Sequence, residues 1–470
     1  MEVLILYPFG IILTFILIYM FRKTRDLNVL FINILTLEVI ISLNKVNFGY
    51  FFKLGGSELM YDDILLGILF FLSINNMRKG MKFDKPTMTA SVMLIVVIMV
   101  GIVLLIISPA KVKVIDYSHS WDTYMHGDAS QMSYVKFSMQ SILMMIRVII
   151  YVFILNTARV IITKKIWIVI GNNVLKFSKI VIVYIVFEAI CKFILRYNIT
   201  YNLISIFGVG ICTSGDIDRL QGLSREPAYL ALSLFNFCVL CYAMAKLNHG
   251  RLNSKDRRWI GIAIFLGLLS ASFSFIIVLL GLLGLLLTSR ADKTGNRPIY
   301  VFFLFLGAIV IFAIVFSKSF IDYASNSDIT IFNRLAESAI QIKKGVLGTY
   351  IIGQDFSSEA SRLIGMIESF KRMLHSPIFG LGIGTTYCVS GVVSILSNVG
   401  FLGFFTWMYL IFYKYSKGKT TLTNIFLLFP VLMTSDMYTM YDTSYLLLLP
   451  LIHMAIGQSD RKTDYGGVRI

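Results

Sequence analysis

Arginine suits the recognition of a diphosphate, because its planar guanidinium donates two parallel hydrogen bonds to neighbouring oxygens. Two stretches of this 470-residue chain place arginine beside reactive or permissive residues. The first runs from Thr213 to Tyr229 and carries Arg219, Gly222, Arg225, Glu226 and Pro227. Pro227 fits the first turn of a helix, where its missing N–H costs nothing. Glu226, just ahead of it, meets the positive end of the helix dipole. That carboxylate has two readings, an N-terminal cap or a group that accepts or orients a hydroxyl proton.

The second stretch begins at Ser357 or Ser358, which caps a helix expected to reach His375 and to stop at Pro377. Leu363, Ile367, Phe370 and Leu374 share one apolar stripe at helical spacing. Arg362, Glu368, Ser369, Lys371, Arg372 and His375 fill the other half-turn. This amphipathic helix is expected to lie on the bundle or at the bilayer surface. Glu368 and Arg372 fit an i,i+4 pair. Arg362, alone on its arc, is the better ligand group, and His375 is a second candidate to take a proton. Gly380, Gly382 and Gly384 follow, spaced so that backbone N–H groups can approach an anion or so that helices can pack closely. They are not a dinucleotide fingerprint, because no strand precedes them and the spacing differs.

Elements must hold these residues, and composition says which. The chain is 57% hydrophobic and 15% charged, with mean hydropathy +0.77. A soluble domain is about 45–50% apolar and about 25% charged. A soluble enzyme, a disordered chain and a small disulfide scaffold are excluded, and the lipid bilayer is the expected environment. Apolar runs fall near 3–21, 28–44, 61–76, 88–108, 135–155, 177–195, 228–245, 259–288, 299–317, 391–412, 421–436 and 444–457. The run at 259–288 is long for one crossing and has basic clusters at both ends, so a hairpin turning near Ser270–Ser274 is expected. The expectation is an all-α polytopic transmembrane helical bundle of about 13 spans, within a range of about 12–14, forming one integral membrane domain over 1–470. Most of the 43 Lys and Arg lie in the shorter alternate loops. By the positive-inside rule this puts 196–227 and the large loop 318–390 on the extracytoplasmic side. The net charge of +17 therefore reflects topology and not nucleic-acid binding.

Ionisable residues inside spans are costly. Glu188 and Lys192 stand four apart in the favourable order and can satisfy each other. Arg147 and Glu38 have no local partner in sequence; each either pairs with a group on another helix or faces a cavity. Cys238 and Cys241 match C-x-x-C inside an apolar helix and read as small buried hydrophobes. His119, Asp122, His126 and Asp128 come nearest to a metal set but read as a solvated loop, so no metal or cofactor is expected. A Walker A loop and a G-x-S-x-G elbow are absent from the sequence. The N-terminus lacks a basic region ahead of its first apolar run, which reads as a retained span.

The pattern Arg219-x-x-Gly222-x-x-x-Glu226-Pro227-x-Tyr229, followed by Arg362 and by His375-x-Pro377-x-x-Gly380-x-Gly382-x-Gly384, resembles the O-antigen polymerase and ligase superfamily of membrane glycosyltransferases. Ser272-Phe-Ser274 and the large loop before the last spans also fit that family. The resemblance implies transfer of undecaprenyl-diphosphate-linked oligosaccharides, without a metal or nucleotide sugar, at the outer face of the bacterial cytoplasmic (inner) membrane. It implies diphosphate binding by Arg219 and Arg362, with Arg225 or Arg372 and the 380–384 backbone assisting. The proton acceptor stays open between His375 and Glu226. Ligase-type members carry a His-Asn pair after the glycine motif; here Ser394–Gly400 holds Asn398 and no histidine. That departure favours a Wzy-type polymerase making O-antigen or capsular polysaccharide over a ligase. A polysaccharide chain-length regulator is the partner the family implies. A flippase for the same lipid-linked sugars is the alternative from a different class.

Overall fold

The computed structural model describes residues 8–46, 50–54, 57–114, 133–206, 219–224, 227–270, 272–294, 316–327, 358–388, 390–413 and 440–461, with scattered single or paired positions between 301 and 343 and at 427. Helices dominate. The first four are α1 (Pro8–Lys23), α2 (Leu27–Asn44), α3 (Tyr61–Arg78) and α4 (Lys85–Ile107). A short hairpin of β1 (Tyr50–Leu54) and β2 (Ser57–Met60) joins α2 to α3, with Lys53 opposite Glu58. Two-residue strands β3 (Lys113–Val114) and β4 (Ser133–Tyr134) pair after α4. There follow α5 (Met139–Ile161), α6 (Lys164–Phe193), α7 (Ile199–Ile206), α8 (Pro227–His249), α9 (Ser254–Leu269) and α10 (Phe273–Thr294). The last are α11 (Lys318–Ser325), α12 (Ser358–Met373), α13 (Gly391–Phe412) and α14 (Ser444–Arg461).

Five of these, α2, α4, α5, α8 and α13, are long and apolar enough to cross a bilayer. The molecule is thus a helical membrane protein. The expected runs at 299–317 and 421–436 lie almost wholly outside the described residues, while α1 at 16 residues represents the first run. The expected break in 259–288 is present: α9 stops at Leu269, Ser270 turns its hydroxyl onto the Gly267 carbonyl at 2.6 Å, and α10 starts at Phe273.

The core is organised around α8, where 94% of the apolar window is buried. Burial on every side, and not apolar composition alone, marks it as the central helix, since the more apolar α4 is only 44% buried over its window. It packs against α2, α6, α9, α10 and α14. Small residues allow the close approach: at Gly171 in α6 an added Cβ would lie 2.6 Å from Met244 Sδ of α8 and 2.9 Å from Leu451 Cδ1 of α14. Cys238 and Cys241 sit buried as free thiols on α8, as expected of small core residues.

Two groups of polar contacts each join segments that the charge bias assigns to one side. At one end Lys45 meets Asp442, Asp63 meets Arg147, and Lys192 meets Arg219. At the other, Arg159 donates to the carbonyls of Leu410 (2.7 Å) and Ile411 (3.0 Å), and Asn248 donates to Asn172 (3.0 Å).

One helix is interrupted. Within α13, Gly400 has φ 67° and ψ −175°, a conformation open essentially to glycine alone. The opened turn is filled by residues 377–381. Phe401 N–H donates to Pro377 O at 2.8 Å, Leu402 N–H to Ile378 O at 3.2 Å, and Leu381 N–H to Ser397 O at 2.7 Å. Both broken ends recover their hydrogen bonds, which an apolar environment requires. A Cβ on Gly400 would run into the Ile378 carbonyl. We expect Gly400→Ala to remove most folded protein from a detergent thermal-stability assay. Gly67→Ala in α3, where a Cβ meets nothing within 4 Å, should match the parent or gain about 0.5–1 kcal/mol; equal behaviour of the two variants would contradict the wedge.

Candidate functional site

The first arginine motif is held by a buried ion pair. Glu188 and Lys192 face each other on α6 at 3.1 Å, both side chains fully buried. Lys192 Nζ also donates to the Arg219 carbonyl at 2.6 Å. Glu188 accepts the N–H of Gln221 at 3.3 Å on Oε1 and that of Gly222 at 2.8 Å on Oε2. Gly222 turns with φ +62°, and a Cβ there would press on Ile185 and Leu230 at 3.1 and 3.2 Å. The pair therefore fixes residues 219–222 against α6 and the start of α8. Arg219 itself is half-buried, with Nε 3.4 Å from the Ser270 carbonyl at the α9–α10 turn. Arg225 and Glu226 lie outside the described residues. The i,i+4 spacing revealed the Glu188–Lys192 pair, but nothing in the spacing revealed that it clamps the motif.

The second motif is built on α12 and α13. Gly365, Ser369 and Met373 form the buried line of α12, which packs on α13, and Ser397 Oγ donates to the Ser369 carbonyl at 3.2 Å. This line faces the bundle, while Phe370 and Leu374 of the apolar stripe do not. Phe370 (39% exposed) and Leu374 (55%) look outward, joined by Ile378 (57%) just past the helix. Glu368 pairs with Lys371 at 3.2 Å and with Arg372 at 3.5 Å, as its spacing suggests. His375 is exposed beside these apolar groups. Arg362 is on the same helix one turn in; its side chain lies outside the described residues.

Gly380, Gly382 and Gly384 all have positive φ, at 72°, 103° and 75°, and all are buried. Each lets the loop touch a neighbour. A Cβ on Gly380 would meet the backbone of Asn398–Gly400 at 2.6 Å, one on Gly382 would meet Leu105 of α4 at 2.8 Å, and one on Gly384 would meet Gln140 O of α5 at 2.8 Å. Buried Asn398 closes the loop: Oδ1 accepts the N–H of Thr385 (3.1 Å) and Thr386 (3.4 Å), and Nδ2 donates to the carbonyls of Thr386 (2.8 Å) and Ser394 (2.7 Å). Of the two readings of these glycines, close packing accounts for what is seen, with the Gly380 and Leu381 amides given to Ser376 and Ser397. Asn398 has no sequence signature beyond its place in the chain, so its role was not legible beforehand.

The two motifs are seated on different neighbours. Residues 219–222 sit on α6, α8 and the Ser270 turn, whereas 377–386 sits between α4, α5 and α13. A further polar group joins α3 and α5. Arg147 on α5 forks onto Asp63 of α3 at 2.8 and 2.7 Å and stands over the Tyr441 ring at 5.9 Å. The open question about Arg147 is thus answered by an acid on another helix. Lys45 binds Asp442, which also accepts Ser42 Oγ at 2.6 Å and the Ser444 N–H at 2.9 Å. Burial alone would raise the Asp442 carboxyl, but the Lys45 ammonium and then the hydrogen bonds from Lys45, Ser42 and Ser444 hold it below the usual carboxylate range.

Among the described residues no group of His, Cys, Asp and Glu could hold a metal; His119, Asp122, His126 and Asp128, read above as a solvated loop, lie outside them. No family model, curated protein or solved structure matches this chain, so the site is read from its own residues.

Breaking a buried pair strands a charge, which costs about 3–5 kcal/mol. We expect Lys192→Met to lower thermal stability by that order and Glu188→Gln/Lys192→Met to recover part of it; a double variant no better than the single would refute the pairing. The Asp442 contribution has the sign of a depressed carboxylate, present above the unfolded value of about 3.9 and lost as pH falls through the folded one. Accordingly, the melting-temperature deficit of Asp442→Asn should be constant from about pH 7 to about pH 5 and shrink below about pH 4. A deficit that grows on acidification would show the opposite shift.

Proposed function

We propose that this chain polymerises undecaprenyl-diphosphate-linked oligosaccharide repeat units into O-antigen or capsular polysaccharide. It works at the outer face of the bacterial inner membrane, crossing it about 13 times. The observation that carries this reading is the exposed His375, close in sequence to Arg372 and Arg362 and framed by exposed Phe370, Leu374 and Ile378. A polar reactive group set in an apolar rim suits a substrate that is a sugar at one end and a polyprenyl chain at the other.

In the proposed reaction a hydroxyl of one lipid-linked repeat attacks the anomeric carbon of the growing chain. The bond from that carbon to the diphosphate oxygen breaks, and undecaprenyl diphosphate leaves with the electron pair. Charge grows on the leaving group, so guanidinium groups already in place stabilise the transition state more than the ground state. Arg219 and Arg362 take this role, with Arg225 or Arg372 assisting. His375 or Glu226 receives the hydroxyl proton. The rigid seating of residue 219 by the Glu188–Lys192 pair serves such preorganisation, since little must move when charge develops.

One observation favours the flippase reading, namely the interruption of α13 at Gly400. Transporters place ligands at such breaks. Here the broken ends are occupied by the carbonyls of Pro377 and Ile378 and the N–H of Leu381, which weighs against a ligand there.

Removing one preorganised donor typically costs about 10²–10³ in rate. Cells carrying Arg219→Ala or Arg362→Ala should therefore display single-repeat products in place of a polysaccharide ladder on electrophoresis, with the protein still inserted. Unchanged ladders in both variants would withdraw those assignments, and complete loss of surface sugar would move the reading to a flippase or ligase.

A further inference from the structure

The break in α13 also fixes how deep the end of α12 lies. Phe401, which donates to the Pro377 carbonyl, stands about 15 Å along α13 from its start at Gly391. A second span gives an independent measure. On α4 an added Cβ at Gly101 would lie 3.5 Å from the Phe379 carbonyl oxygen, and Gly101 is about 9 Å short of the helix end at Ile107. The α4 helix is about 35 Å long against a hydrocarbon core of about 30 Å, so a point that far inside its end lies within the core. The chain then climbs out again, since Gly382 meets Leu105 nearer the end of α4 and Gly384 meets Gln140 in the first turn of α5. Residues 370–384 therefore descend and return on one side of the bundle.

Backbone at this depth must be satisfied by protein, and it is. The carbonyls of Pro377 and Ile378 accept from α13, and the amides of Gly380 and Leu381 donate to Ser376 and Ser397. The side chains on the outer face are apolar. Ile378 is exposed at the lowest point, with Leu374 and Phe370 above it at one-turn steps. Exposure continues across the seam onto α13: Phe401 and Phe405, stacked at 6.3 Å, flank Leu402, whose N–H binds the Ile378 carbonyl. On α4 the same end shows exposed Val103, Leu104, Ile106 and Ile107. The apolar face of α12 is thus continuous with the outward surface of a span.

We propose that the C-terminal half of α12 and the turn after it form a re-entrant element, immersed in the leaflet at the Gly391 end of α13. Phe370, Leu374 and Ile378 lie against the acyl chains of bilayer phospholipid. Lys371, exposed and paired with Glu368, has a stem long enough to keep its ammonium among the headgroups. His375, within one turn of Ile378, is held where headgroups meet acyl chains, so a group carried by a lipid reaches it without leaving the bilayer. Any bilayer lipid can fill this contact, and the inference does not rest on the proposed transferase activity.

The test places nitroxide labels on Phe370→Cys, Leu374→Cys and Ile378→Cys in the full chain, in vesicles of phosphatidylethanolamine and phosphatidylglycerol. Phe405→Cys is the lipid reference and Lys79→Cys the water reference. All five side chains are exposed, so a label displaces no buried group. The described native cysteines are buried, and label taken up by the parent chain is subtracted. Collisions with oxygen, which concentrates among acyl chains, are compared with collisions with a water-soluble nickel chelate. The oxygen-to-nickel ratio at positions 374 and 378 should be severalfold above that at 79 and approach that at 405, falling from 378 through 374 to 370. A ratio at 374 and 378 equal to that at 79 would overturn the proposal by putting water over this face. Few collisions with either reagent would overturn it by assigning the face to another protein surface, and a ratio that rises towards 370 would reverse the descent.

Discussion

A carboxylate buried in α6 serves one ammonium and two backbone amides at once, and the site end of the molecule depends on that arrangement. Glu188 is fully covered, so each of its oxygens must be answered from within. Lys192 answers one, and the N–H groups of Gln221 and Gly222 complete the set. Because α6 is rigid and tightly packed on α8, the loop that carries Arg219 inherits the precision of the core. The ion pair is thus as much a means of placement as of stability, consistent with how buried pairs act when every remaining group is satisfied.

The same constraint explains the other motif. Residues 377–381 enter the bundle only because α13 opens at Gly400 to accept them, and α13 opens only because those residues restore its lost hydrogen bonds. Neither segment has a satisfied backbone without the other. Asn398 then fastens the far side of the loop with all of its amide capacity, and Gly384 docks it on α5. A lipid-facing protein tolerates irregular backbone only where protein replaces water. His375 stays exposed, one residue past Leu374, which is exposed as well.

Polar groups are distributed with matching economy. The Arg147–Asp63 and Lys45–Asp442 pairs tie α2, α3, α5 and the turn before α14 at one end, while Arg159 caps the end of α13 at the other.

Composition alone determined that the chain lives in a membrane, and the length and flanking charges of the run at 259–288 determined where it must break, since transfer free energy and loop charge are local properties. The i,i+4 spacing of Glu188 and Lys192 likewise sufficed for their pairing, because an α-helix brings such positions together wherever it is found. Tertiary structure alone decided what those residues are for. That Arg147 answers Asp63 across 84 positions, that Asn398 closes the glycine loop, and that α12 turns its Gly365–Ser369–Met373 line inward all depend on how helices pack. Hydrophobic periodicity reports which residues avoid water, but in a bilayer both lipid and protein satisfy that preference. Phe370 and Leu374 therefore form an apolar stripe in the chain whether the fold buries or exposes them, and here they are exposed.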